Sequence, residues 1–503
     1  MNKKIEQVMS TWTSNALPDG RTINTLLQVD GIPLWWAFER FITSSLLPKL
    51  PSFRSLCDQF EKHEKPSSFP FRSLLICQFL NVHEKFKWRR KKNVIVTPAP
   101  KALFLTYRHH IFYENNRPKI YRVAPVIDQM KKKNFLEPFV LVVDSLSRRP
   151  SSSTDYPVIY DFITSDIKKM AARTARELAT AWKSVSVPER EALLMVGKGS
   201  FYPYVAAHLS VLFSRPFLSL FLTYYFTLKD IIARCNIRCF YLTATIGFFE
   251  KCCLFAANVL HIPVFVAQHG SGVGFGQVPS GLLGSLTFLV FGKKHRELLA
   301  TMGIPEEKIV VTGSPMVDEI AHFVPLKSSS MEKMLILTQP FVEDKLWMAE
   351  QRTVFFGALH RIMLVLSGIS FAIKIHPREK KELYEKEFPG VLVSDQNLYE
   401  EIKKADIVLG VTSTALMEAL LLNKPAVVLD LFDQGMEIPY VACGLALRVA
   451  YADSLASQIT DYFTFYSSAV FDKKRREFIA DYFYALDGRA AGRIVHVLER
   501  ASQ

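Results

Sequence analysis

His269 stands where an apolar run gives way to glycine-rich sequence, in Pro263-Val-Phe-Val-Ala-Gln268-His269-Gly270-Ser271-Gly272-Val273-Gly274. An imidazole exchanges a proton near neutral pH, and glycines let backbone and reactant come close. His269 is therefore a candidate general base, bordered by the loop residues Gln268, Gly270, Ser271 and Gly272. The three glycines at 270, 272 and 274 do not make a G-x-G-x-x-G phosphate loop. The competing role for this histidine is to cap its strand by bonding nearby backbone.

Three further groups carry polar chemistry. In Ile373-Lys374-Ile375-His376-Pro377-Arg378-Glu379, imidazole and guanidinium donors from His376 and Arg378 could hold phosphates and offset negative charge on a leaving group. A solvated turn with both side chains paired to carboxylates is the alternative. In Asp406-Ile-Val-Leu-Gly410-Val-Thr412-Ser413-Thr414-Ala-Leu-Met-Glu418, a strand, a hydroxyl-rich turn and a helix follow one another. Unsatisfied amides at that helix start, with Ser413 and Thr414, could cradle a phosphate, and Glu418 could accept hydroxyls. The same residues also suit an ordinary N-cap. Finally, Gly313 and Ser314 in Thr312-Gly313-Ser314-Pro315 offer a tight turn with hydroxyls, a pattern that linker chemistry explains as well.

The groups fall at the ends of strand-like runs, where open α/β sheets bind ligands. Short unbroken apolar runs at 102–106, 139–143, 239–243, 264–267 and 287–291 predict strands covered on both faces, with helices at 167–184 and 246–260. A second half repeats the theme at 308–313, 334–338, 370–375, 391–393, 407–410 and 426–430, and the sequence is helical in pattern after Asp453. These patterns divide the chain into a mostly helical N-terminal extension (1–92), two Rossmann-like domains (93–295 and 296–470) and C-terminal helices (471–503). The Gly and Pro punctuation of 291–315 suits a crossover between domains.

A chain of 503 residues exceeds what one hydrophobic core usually covers. The net charge of +14 favours anionic partners. Neither a zinc-finger spacing nor an aromatic RNA-recognition motif accompanies it, so nucleic acid is not an expected partner. Five cations around two aromatics in Phe86–Lys92, the aromatic run Phe217–Phe226 and Lys131-Lys132-Lys133 suggest peripheral contact with an anionic membrane, with a basic turn, a core helix and a helix terminus as the alternative. The most apolar stretch, 216–228, is too short to span a bilayer. Cys235, Cys239, Cys252 and Cys253 sit in apolar sequence and read as buried free thiols of a reducing compartment. The polar opening Met1–Glu6 agrees with a cytoplasmic protein.

The order Gln268-His269-Gly270, Gly313-Ser314-Pro315, His376-Pro377 and Ser413-Thr414-x-x-x-Glu418 resembles GT-B glycosyltransferases around the bacterial polysialyltransferase and capsule-transferase families, and the CDP-glycerol glycerophosphotransferases. The resemblance covers roughly residues 100 to 460 and implies two Rossmann-like domains facing across a cleft. It implies His269 as base, and the loop residues Gln268, Gly270, Ser271 and Gly272 that border it are then the candidate acceptor side. It also implies His376 with Ser413 and Thr414 as the grip on the nucleotide phosphates, and the residues themselves add Arg378, Glu418, Gly313 and Ser314 as candidate donor binders. The glycerophosphotransferases show Trp-His-Gly-Thr-Pro where this chain has Gln268-His269-Gly270-Ser271-Gly272, which leans towards sugar transfer. The expected partners are a nucleotide sugar and a carbohydrate or lipid-linked acceptor in cell-envelope polysaccharide synthesis, with no metal and no cofactor. Polyol-phosphate transfer, a non-hydrolysing nucleotide-sugar 2-epimerase and an inactive carbohydrate-binding or nucleotide-binding subunit are the other readings, because fold alone does not fix function.

Overall fold

Strands that are apolar on both faces need cover on both faces, which a parallel sheet between helices supplies. The structure, a computed structural model, describes residues 11–35, 97–114, 117–120, 122–144, 156–197, 199–245, 247–270, 280–321, 327, 330–343, 346–432 and 439–501. They form two compact units. The first comprises the described residues up to Leu289, Leu299–Val310 and those from Ile494 on; the second comprises Val290–Leu298 and Val311–Arg493.

The first unit is built on β1 (Lys101–Tyr107), β2 (Glu137–Val143), β3 (Ile237–Leu242), β4 (Val264–Ala267), β5 (Leu286–Val290) and β6 (Ile309–Val311), in the spatial order β6-β5-β4-β3-β1-β2. β1 pairs in parallel with β2 and β3, and β4 with β3 and β5. The chain lays β2 on one side of β1 and then returns to place β3 on the other, so strand order reverses between β1 and β3. One expectation is corrected. The run 308–313, assigned from sequence to the second half, supplies β6 at the edge of the first sheet, and Thr312 N–H donates to Val290 O at 2.9 Å. Apolar patterning specifies a strand but not the sheet it joins.

Helices α1 (Ala124–Lys133), α2 (Ser165–Ser184), α3 (Arg215–Arg234) and α4 (Phe248–Val259) belong to this unit. Thr164 caps α2 by accepting Ile167 N–H at 3.2 Å, and Ser214 caps α3 with Pro216 in its first turn. Tyr224 and Tyr225 of α3 are fully buried, with ring contacts at 4.8 and 5.1 Å to Phe249 and Phe255 of α4. The membrane-surface reading of Phe217–Phe226 is thereby corrected: this segment is core, where each large apolar side chain contributes about 1.5–3 kcal/mol. Among the described residues no single helix is long and apolar enough to cross a membrane. Trp12 and Trp35 are fully buried and pack on Phe201 and Phe213, so residues 11–35 join the same core. The remaining stretch of the expected helical extension, 36–92 with the basic run Phe86–Lys92, lies outside the described residues. Cys235, Cys239, Cys252 and Cys253 are buried free thiols, as expected.

In the second unit, β7 (Lys333–Leu337), β8 (Ser370–Lys374), β9 (Leu392–Ser394), β10 (Ile407–Gly410), β11 (Ala426–Leu429) and β12 (Ala446–Val449) form a wholly parallel sheet ordered β9-β8-β7-β10-β11-β12. Its order reverses between β7 and β10. Successive strand residues bury on opposite faces: Leu335 and Leu337 join Leu416, Phe471 and Phe478, while Ile336 joins Phe355, Leu409 and Ile459. Its longer helices include α5 (Ala349–Val365), α6 (Thr414–Leu421), α7 (Ala452–Tyr466) and α8 (Ala469–Tyr482), and α9 (Ala490–Ala501) begins here. Phe471 and Phe478 make α8 part of the second unit's core, whereas the chain from Ile494 on belongs to the first unit, where Lys133 Nζ lies 3.1 Å from Glu499. The chain thus contains two Rossmann-like α/β units, the fold class that the sequence motifs imply.

Candidate functional site

Each sheet has one place where its strand order reverses, and the carboxyl ends of strands there leave a crevice between diverging loops. In the second unit, β7 ends in Thr338 and Gln339, β8 in Ile375 and His376, and β10 in Val411, Thr412 and Ser413. Thr338 and Glu379 are buried. The Thr338 hydroxyl donates to Glu379 Oε2, and the Tyr384 hydroxyl donates to Glu379 Oε1 at 2.5 Å. His376 N–H reaches both Thr338 Oγ1 at 3.0 Å and Glu379 Oε2 at 3.3 Å. Arg378 N–H donates to His376 Nδ1 at 3.2 Å. Burial raises the Glu379 pKa, while the bonds from Thr338, Tyr384 and His376 hold it down and nearby Glu343 adds to the rise.

Across the reversal, Gln339 Oε1 accepts Thr412 N–H at 2.8 Å. Ser413 caps α6, its hydroxyl accepting Ala415 N–H at 3.1 Å, and its carbonyl accepts the Tyr440 hydroxyl at 3.2 Å. Thr414 opens α6, and Glu418 is half-buried one turn further on. Gln339, Phe341, Trp347, Arg352, Glu379 and Tyr384 line a small recess. Elsewhere in this unit, Gly313 takes φ +81°, and a β-carbon there would meet Arg493 Nη2 at 2.8 Å and Ala490 Cβ at 3.2 Å. Ser314 is buried. Asp318 follows them and accepts the N–H groups of Ala490 and Ala491 at 3.0 and 2.8 Å, so this turn anchors the start of α9.

In the first unit, Gln268 and His269 leave the end of β4. Gln268 is buried; its N–H donates to Leu289 O at 2.9 Å, and its side-chain amide closes the turn onto Gly270 O at 2.7 Å. That brace fixes the backbone of His269, whose ring keeps a solvent-exposed surface although protein surrounds most of it. Desolvation, and then the charge of Arg122, lower the His269 pKa to about 4, against a hydrogen bond with the Thr243 backbone that favours the charged form. Arg122 itself has φ +73°, the left-handed region that a non-glycine residue rarely adopts. The neighbouring strand ends carry the Arg108–Asp144 ion pair at 2.6 Å, and Tyr107 donating to the fully enclosed Glu250 at 2.9 Å. Ser271 and Gly272 lie outside the described residues.

His269, His376, Arg378 and Ser413 thus stand at strand ends and Thr414 and Glu418 in the opening turns of α6, while Thr338, Gln339, Tyr384 and the bonding of Glu379 beside them carry no signal in the sequence pattern. The Pro after Gln339 marks a chain leaving a strand, yet no pattern in sequence says that Gln339 reaches Thr412, 73 residues away.

Two Rossmann-like units with polar strand ends define the class of architecture. No family model and no curated protein matches this chain. Among solved structures, it is similar to S. aureus MnaA in complex with UDP, at 14% identity over 80% of this chain and 96% of that one, with a TM-score of 0.48. It is also similar to the UDP-GlcNAc 2-epimerase of Neisseria meningitidis bound to UDP-GlcNAc (14% identity, 80% and 99% covered, TM-score 0.48). A third similarity is to the wall teichoic acid polymerase TagF (10%, 86% and 98%, 0.43). At this level of similarity, functional assignment rests on the chain's own residues.

Proposed function

We propose that the protein is a glycosyltransferase that moves a sugar from a nucleotide-activated donor to an acceptor hydroxyl in surface-carbohydrate biosynthesis. The observation that carries this reading is His269: a partly accessible imidazole at the end of β4, on backbone braced by Gln268, where an acceptor hydroxyl could meet it. In the proposed reaction His269 removes the acceptor hydroxyl proton as that oxygen bonds to the donor's anomeric carbon. The bond from that carbon to the phosphate oxygen breaks, and its electron pair leaves with the nucleotide. His376, Arg378 and the α6 start with Ser413 and Thr414 balance the charge that develops there, and Glu418 accepts hydroxyls of the donor. Gly313 and Ser314 enter as the packed turn that anchors α9. Work at the inner face of the membrane, through Phe86–Lys92 and the exposed Lys131–Lys133, belongs to the same proposal.

Thermal shift of the purified protein with CMP, CDP, UDP, GDP and their sugars finds the donor, because a ligand that binds only the folded state raises apparent stability. With that donor and a panel of glycan acceptors, His269→Ala is expected to lose transfer by about 10²–10⁴-fold while still binding nucleotide. Interconversion of UDP-N-acetylhexosamines without acceptor would move the assignment to an epimerase. Full transfer by a folded His269→Ala protein would remove the base.

A further inference from the structure

His376 would meet donor phosphate as a hydrogen-bond donor, so what fixes its ring matters as much as the ring itself. We propose that Glu379, with Thr338 and Tyr384, is a positioning cluster that holds His376 as the neutral tautomer protonated on Nε2, poised to donate to a nucleotide phosphate. The inference rests on the donor site proposed above. It begins from Nδ1, which accepts Arg378 N–H at 3.2 Å. An acceptor must carry a lone pair, so in the neutral ring the proton sits on Nε2. A second proton on Nδ1 would break the Arg378 bond.

The ring keeps that geometry only if the turn beneath it is rigid. Three groups hold the turn. His376 N–H is shared between Thr338 Oγ1 and Glu379 Oε2, Thr338 N–H donates to Lys374 O at 3.1 Å, and Glu379 N–H closes the turn onto His376 O at 2.9 Å. The Tyr384 hydroxyl satisfies the other carboxylate oxygen. A buried carboxylate is costly unless donors compensate it, and here two hydroxyls and one amide converge on it. Glutamine has a single side-chain acceptor oxygen, and its NH2 would confront a hydroxyl that now donates. Glu379 thus acts through His376 and need not touch the donor.

The test combines a ring readout with a binding cycle. Nitrogen-15 NMR of the full-length protein should show His376 with Nδ1 unprotonated and Nε2 protonated, and Glu379→Gln should shift the population towards the other tautomer. By calorimetry with UDP and CDP as separate probes, Glu379→Gln should weaken binding about tenfold or more, the scale of a lost charge-assisted hydrogen bond. That loss should largely vanish in the His376→Ala background, since coupled residues are not additive. An unchanged tautomer with unchanged affinity, or an equal loss in the His376→Ala background, overturns the positioning role. If Glu379→Gln fails to fold, Thr338→Val and Tyr384→Phe, each removing one bond, are judged by the same criteria. If the wild type binds no nucleotide, the transferase reading falls and the NMR tautomer alone decides the inference.

Discussion

The Gln339 side chain accepts the backbone N–H of Thr412 at 2.8 Å, tying the exit of β7 to the exit of β10 where the second sheet reverses its strand order. Thr412 immediately precedes the N-cap of α6, so this one amide sets how that helix start is presented. Gln339→Ala leaves the half-buried N–H without its acceptor, which costs about 1–3 kcal/mol. The urea midpoint should fall accordingly, and affinity for the donor nucleotide should fall with it. Gln339→Glu, which keeps an acceptor oxygen in place, should retain most of both. Equal midpoints for wild type and Gln339→Ala would show that the bond holds nothing.

Gly292 follows β5 and runs against the end of α8. A β-carbon there would sit 2.3 Å from Asp481 O and 2.5 Å from the Tyr482 carbonyl carbon, and neither backbone atom can swing aside as a side-chain tip could. Gly292→Ala should therefore destabilise the second unit by about 1–3 kcal/mol through overpacking. Gly357, whose β-carbon would meet nothing within 4 Å, is the control: Gly357→Ala on α5 should stabilise by about 0.5–1 kcal/mol. Thermal unfolding of the two variants beside wild type checks both signs.

Much of this fold was legible because parallel strands between helices must be apolar on both faces, as Phe139–Val143, Val264–Ala267 and Ile407–Gly410 are. What periodicity could not say was membership. The strand at Ile309–Val311 reads like its neighbours yet pairs with the first sheet, and Ala446–Val449, interrupted by Arg448, was not recognised as a strand. The strand-end placement of candidate residues was legible where the pattern is local, as for His269, His376 and Ser413. What depends on contacts at long separation was hidden, as in the Thr338–Glu379 bond, whose partners stand 41 residues apart.

Lys131, Lys132 and Lys133 occupy the last turn of α1, exposed, where cations complement the helix dipole and Lys133 also meets Glu499. Lys131 and Lys132 are exposed, and in the proposed membrane contact they meet anionic lipid, whereas the aromatic run of α3 is interior. Each cation near such a surface contributes about 1 kcal/mol. Full-length protein should co-sediment with phosphatidylserine vesicles at low salt and be released at high salt. Replacing Lys87, Arg89, Arg90, Lys91 and Lys92 by Gln should abolish sedimentation, and replacing Lys131 and Lys132 should weaken it. Wild type remaining in the supernatant at low salt would remove the membrane role.

His269 gives the sharpest test of mechanism, because its proton affinity has two separable causes. Desolvation comes first and the Arg122 cation second, together lowering the pKa to about 4 from an ordinary value near 6.5. Between those values the unfolded chain binds the proton and the folded protein does not. The contribution of His269 to stability is thus complete above about 6.5 and lost as pH falls towards 4. The same window governs activity, since the acid limb of kcat/KM reports the base of the free enzyme. With the donor identified, that limb should lie near 4, and Arg122→Gln, by removing a positive neighbour, should move it up towards 6.5 without adding a second ionisation. NMR titration of the His269 ring in both proteins supplies the independent pKa. A wild-type limb near 6.5, or a ring pKa unmoved by Arg122→Gln, would mean that Arg122 does not tune this histidine.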